Sequence, residues 1–141
     1  MRVFIDTNVI LDVLIPSRPS SKYSIVIFEA LRQHIFSAGV STQSIVDAAY
    51  VSSRAGVNDD YFKRFVKELY KISVFEYLDS FDMIKAADSS SRDFEDEAQF
   101  AHASSGEFDA LITSDKILKK HPEVPGFLVF TPEEFVAKMR D

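Results

Sequence analysis

Apolar and polar positions follow two rhythms along the chain. Short runs rich in β-branched and aromatic residues fall at 3–5, 35–40, 72–75, 110–113 and 127–130, each of strand length. Longer stretches with helical spacing separate them. A short helix is expected from Asn8 to about Leu14, ended by a loop with Pro16 and Pro19. Ser20 or Ser21 then caps a helix reaching about Gln33, and Ser41 caps another that stops before Gly56. Asn58 opens a fourth, with Phe62, Phe65, Val66 and Leu69 as its apolar stripe. Further helices are expected from Ser80 through Ala87, from about Asp93 to Ser104, and from Ser114 or Asp115. The closing "TPEEF" is a strong helix start, with Thr131 as cap, Pro132 first and Glu134 reaching back. Strand and helix alternate throughout, which predicts an α/β fold with a parallel sheet covered on both faces. No repeat, linker or low-complexity tract divides residues 1–141, so one domain is expected.

Composition narrows the function. Acidic residues outnumber basic ones by 22 to 16, for a net charge of -6. That opposes a general electrostatic binder of nucleic acid, whose surface should be basic. It leaves room for an enzyme that meets phosphate through bound cations. With no cysteine there is neither a disulfide framework nor a thiolate metal site. The apolar run at the start is too short for a signal peptide and no later segment approaches a membrane span. A cytoplasmic protein without a membrane partner is therefore expected.

Where the acids fall matters more than their number. In an open parallel sheet, ligands bind beyond the carboxyl ends of the strands, where the strand order reverses. Asp6 directly follows the first strand, and Asp115 follows the strand at 110–113 by two residues. If those strands are neighbours, both carboxylates overhang one crevice. Each acid is equally an ordinary helix cap, so neither decides the matter alone. In "SRDFEDEAQFA", Asp93, Asp96 and Glu97 share a helix face, while Phe94, Ala98 and Ala101 should dock on the core. An acid in a first helical turn gains about 0.3–1 kcal/mol from the dipole. Two carboxylates about 4 Å apart repel by roughly 4 kcal/mol at an effective dielectric of about 20. Should that face converge on Asp6, positive charge belongs there. Asp47 lies mid-helix with Gln43 and Arg54 roughly on its side, and locally a solvated polar stripe explains it. Together, four separated segments supply hard oxygen donors of the kind Mg2+ or Mn2+ prefers. Such ions promote phosphodiester hydrolysis.

The blocks "VFIDTNVILDVL", an acid in the helix after "ST", "RDFEDEAQFA", and "DALITSDK" followed by "TPEEF" resemble the PIN domain across essentially the whole chain. The resemblance is strongest to the branch akin to VapC-type toxins of bacterial toxin–antitoxin pairs. It implies a three-layer fold whose five-stranded parallel sheet has the order 3-2-1-4-5, placing the Asp6 and Asp115 strands side by side. It also implies an Mg2+- or Mn2+-dependent endoribonuclease, with RNA as substrate, an antitoxin as partner and a homodimer as assembly. Matched by position, Asp6, Asp47, Asp96 and Asp115 become the catalytic, metal-holding acids and Asp93 an accessory acid. Asn8 and Thr113 become supports that orient the first and last carboxylates. Asp47 departs from the pattern, in which Glu is common, and its shorter side chain would reach an ion through water. Glu97 stands where a small residue is common, either an extra acid or merely an exposed one.

Other features carry less. His34, His102 and His121 are scattered, with no carboxylate spaced to form a triad, and read as surface or capping residues. Asp12 reads as solvated. Arg18, Lys22, Arg54, Lys116, Lys119 and Lys120 are candidates for backbone contacts to RNA. The rival from another class is a non-catalytic RNA- or protein-binding module with a degenerate metal site, which would bind weakly and cut nothing.

Overall fold

Val3, Phe4 and Ile5 are fully buried because the strand they form, β1 (Arg2–Ile5), is the middle of a five-stranded sheet. The computed structural model describes all residues, 1–141. The other strands are β2 (Ser37–Ser41), β3 (Val74–Glu76), β4 (Ala110–Ile112) and β5 (Leu128–Phe130). Every pairing is parallel and the order is β3-β2-β1-β4-β5, as expected. Ile5 pairs with Val40 on one side and Ile112 on the other, so the strand ends that precede Asp6 and Asp115 are in register.

Alternation along β1 divides the core in two. Val3 and Ile5 face the larger cluster, covered by α1 (Thr7–Leu14), α2 (Ser21–Arg32), α3 (Thr42–Arg54), α4 (Asp59–Ile72) and α8 (Pro132–Arg140). Phe4 faces the other way, onto Phe100, Ala103, Phe108, Leu111 and Leu118, beneath α6 (Phe94–Ala103) and α7 (Lys116–Lys119). The remaining helix, α5 (Ser80–Asp88), packs along α6. Gly39 is required by this second layer, since a Cβ there would stand 2.7 Å from the Phe108 ring. No helix is long and apolar enough to cross a membrane.

The expected elements all form, with shifts at their ends that have local causes. β2 starts at Ser37, two residues later than the apolar run suggests. His34 takes the left-handed conformation (φ 59) just past α2, and the Ile35 N–H reaches back to the Ala30 carbonyl at 3.1 Å. This helix-ending motif leaves Ile35 outside the sheet, 61% exposed. β3 likewise begins at Val74, because Ile72 is the last residue of α4. Phe94 departs most: expected in the core, it is 49% exposed, while Ala98 and Ala101 on the same helix are buried as expected.

Candidate active site

Three helices begin on one side of the molecule, each capped by an expected acid. Asp6 caps α1, its Oδ1 accepting from Thr7 N at 2.9 Å. Asp115 caps α7, its Oδ1 accepting from Ile117 N at 2.7 Å and Leu118 N at 3.1 Å. Asp93 caps α6, its Oδ1 accepting from Asp96 N at 3.0 Å. Capping and site-building therefore coexist. Each cap pins one carboxylate oxygen on the partial positive charge of a helix start, which fixes the direction of the other.

The strand ends complete the frame. Asp6 N donates to Ile112 O at 3.1 Å, drawing the end of β1 against β4. Thr113, directly after β4 and fully buried, donates its hydroxyl to Asp6 Oδ2 at 2.7 Å and accepts from Asp115 N at 3.0 Å. Asn8 Oδ1 accepts from Ser114 N at 3.1 Å. The two supports are thus crossed relative to expectation. Thr113, on the last segment, orients the first carboxylate, and Asn8, on the first helix, braces the loop bearing the last.

The acids feel one another strongly. Burial pushes the Asp6 carboxyl up to about 6, with the charges of Asp115 and Asp93 adding to it against the bonds from Thr113 and Thr7. Burial, then the charges of Asp6, Asp115 and Asp93, push Asp96 up to about 8. Its Oδ2 is buried with no donor, and only a proton of its own would bond it, to Asp93. An unpaired buried anion costs several kcal/mol, so a carboxylate oxygen in this position is tolerable only with a proton or a cation. No three of the acids close into the tight grouping of a preformed coordination sphere. What the fold assembles is a shared negative field beyond the ends of β1 and β4, to which Asp6, Asp93, Asp96 and Asp115 all contribute.

Asp47 belongs to a second pair at the edge of that field. Its Oδ1 accepts from Gln43 Nε2 at 3.0 Å, and its Oδ2 is buried with no donor other than a proton on Glu95. The hydrogen bond to Asp47, followed by burial and the charges of Asp47, Asp6 and Asp93, pushes Glu95 up to about 7. Glu95 thus links Asp47 to the main group, although nothing in its sequence context singles it out. Its proximity depends on how α3 and α6 pack, which helical spacing within "DFEDEA" does not reveal. Glu97, by contrast, turns away and accepts from His121 Nε2 at 3.2 Å.

Beneath the acids lies a buried polar knot with no sequence signal. Gln99 Nε2 donates to Ser41 Oγ at 3.0 Å and Ser44 Oγ at 2.8 Å, and Thr7 Oγ1 donates to the same Ser44 Oγ at 2.7 Å. It ties the starts of α1 and α3 to α6, one turn after Asp96. Other polar residues move from surface to interior. Asp12, expected in solvent, is 1% exposed and accepts from Arg18 Nε and Ser24 Oγ, both at 2.8 Å. Arg18 is therefore committed to the fold. His102, expected at the surface, bridges Asp82 Oδ2 at 2.8 Å and Glu76 Oε1 at 2.9 Å, the carboxylate partners that sequence spacing did not offer.

These features define an α/β protein with a group of acids gathered at the point where its parallel sheet reverses order. The PIN domain family model matches residues 2–117. The chain belongs to the PIN domain family. No curated protein matches it in sequence. Among solved structures it resembles VapC20 of Mycobacterium tuberculosis, a sarcin-ricin loop cleaving toxin. That match has a TM-score of 0.68 at 12% identity and covers 86% of this chain and 96% of VapC20.

Proposed function

We propose that the protein is a divalent-cation-dependent endoribonuclease and the toxin of a toxin–antitoxin pair. The observation that carries this reading is Asp96 Oδ2, buried without a donor among the charges of Asp6, Asp93 and Asp115. Such a group calls for a compact positive charge, and the donor set around it is entirely hard oxygen, which fits Mg2+ or Mn2+. Asp6, Asp96 and Asp115 would hold the ion, with Asp47 contributing at the edge beside Glu95. When bound, the ion supplies Lewis-acid stabilisation of the charge that develops on a phosphodiester during hydrolysis.

The chain's own residues set the stage for that chemistry. Thr113 holds the Asp6 carboxylate by its hydroxyl and the Asp115 backbone by its lone pair, so the two acids move as a unit. Asn8 fixes Ser114, which keeps the Asp115 loop against α1. The Gln99 knot keeps α6, and so Asp96, at its height above the sheet. Membership of the PIN family and the likeness to a toxin that cleaves the sarcin-ricin loop support RNA as the substrate. An antitoxin would silence the site by offering Arg or Lys to the same carboxylates, a charge-assisted contact. Action in the cytoplasm and assembly as a homodimer accord with that role.

The test is cleavage of a mixture of structured RNAs by the purified protein with Mn2+, with chelator, and by the Asp6→Asn and Asp96→Asn variants. Cutting is expected with Mn2+ and wild type alone. Cleavage that survives chelation, or that either variant retains in full, overturns the reading.

A further inference from the structure

Beside the acid cluster the surface opens into a cavity of about 470 Å3 over the carboxyl ends of β2 and β3. Its walls include Thr42 and Gln43 from the start of α3, Tyr77 just past β3, Met83 of α5, and Phe94 and Glu95 from the first turn of α6. The volume lies within the roughly 300–1,000 Å3 typical of small-molecule sites. Two of its walls are exposed aromatic rings, Tyr77 at 72% and Phe94 at 49%. Neither ring belongs to the hydrophobic clusters that stabilise the fold. Two exposed rings at the rim of one pocket form an apolar patch of the kind that marks binding sites.

We propose that this cavity, on the ribonuclease reading above, is the subsite for an unpaired RNA base next to the phosphodiester bond presented to the acids. Three observations converge on that occupant. Tyr77 and Phe94 offer flat faces for stacking, the usual way proteins hold splayed-out bases of single-stranded RNA. Thr42 places a hydroxyl in the same wall, and Gln43, whose NH2 bonds Asp47, leaves its amide carbonyl, so both can read a base edge by hydrogen bonds. Glu95 belongs both to this wall and to the pair with Asp47, and Gln43 of the same wall bonds Asp47 at 3.0 Å, so the cavity borders the acid cluster. A base seated here therefore leaves its own phosphate beside the carboxylates. The rings then help to choose which loop is cut, and the acids supply the cut itself. Tyr77 and Phe94 are specificity residues in this scheme.

The experiment titrates the 15N-labelled full chain, in chelator, with each of the four ribonucleosides. Nucleosides carry no phosphate and need no cation, so the pocket is tested independently of catalysis. Saturable amide shifts are expected at Thr42, Gln43, Tyr77 and Phe94, larger for one base than for the others. Tyr77→Ala and Phe94→Ala, at exposed positions that leave the core intact, should each weaken the response by roughly 5- to 100-fold, the usual worth of a stacked base. In cleavage of a random-sequence RNA with Mn2+, Tyr77→Ala should level the base preference beside the cut. Shifts from no nucleoside, undiminished shifts in Tyr77→Ala, or equal shifts from N-acetyl-tyrosinamide, which would mark a pocket for a protein side chain, overturn the proposal. Nucleoside binding without any RNA cleavage overturns the ribonuclease reading instead, and with it the subsite's catalytic context.

Discussion

Replacing Asp6 by Asn should disable the protein and, above neutral pH, stabilise it. The carboxyl is 3% exposed and its ionisation is pushed from 3.8 to about 6. Below about pH 3 it is neutral in both the folded and unfolded chain and contributes nothing. As pH rises the unfolded chain ionises first, so the folded state loses stability until about pH 6, where the loss is complete. At 1.36 kcal/mol for each tenfold change in acidity, the ionised carboxylate costs the fold about 3 kcal/mol. Asn avoids that cost. Its carbonyl oxygen keeps the bond from Thr7 N, but its NH2 meets the Thr113 hydroxyl that Asp6 Oδ2 now accepts at 2.7 Å. Turning that hydroxyl costs about 1 kcal/mol. Asp6→Asn is therefore expected to gain about 2 kcal/mol at about pH 8 in chelator, and to lose about 1 kcal/mol near pH 3, where only the hydrogen bond differs. Urea unfolding at the two pH values measures both. Mn2+ should raise the unfolding midpoint of wild type and leave the variant nearly unmoved. A variant less stable than wild type at the higher pH, or stabilised by Mn2+ to the same degree, would refute this account of the acid cluster.

Three further outcomes follow from other parts of the structure. Asp12→Ala strands Arg18 and Ser24, and should cost about 3 kcal/mol, the lower end for breaking a buried ion pair, because Arg18 can turn to solvent. Its RNA cleavage per folded molecule should stay at wild-type level, which separates this buried acid from those of the site. Gln99→Leu removes two hydrogen bonds from the knot under α6 and should cost about 1–2 kcal/mol, with cleavage falling by more than unfolding at the assay temperature explains. For His102, burial favours the neutral ring, yet bonds to Glu76 and Asp82 prevail and hold its ionisation above the usual 6.5. Its contribution is then full below about pH 6.5 and fades as pH rises through the folded value. The stability gap between wild type and His102→Gln should shrink on that rise, and an NMR titration of the ring with a midpoint below 6.5 would contradict it.

The chain's local chemistry determined the elements and the acids that open them. Asn58, Ser41, Thr131, Asp6, Asp93 and Asp115 all act as caps where the sequence places them, because a cap bonds amides within three residues of itself. Strand–helix alternation likewise determined the parallel sheet, and resemblance to a known family supplied its order. Tertiary structure decided who meets whom. Thr113 and Asp6 are 107 residues apart and bond only because β1 and β4 are neighbours. Asp12 became buried when Arg18 and Ser24 folded over it, and Glu95 joined Asp47 when α6 came to rest against α3. Phe94 was left outside both core clusters and instead lines a cavity with the start of α3 and Tyr77, neighbours that its helical spacing does not reveal. Helical and strand periodicities are set by bonds within a few residues, whereas the surroundings of a side chain are set by whichever distant segments pack beside it.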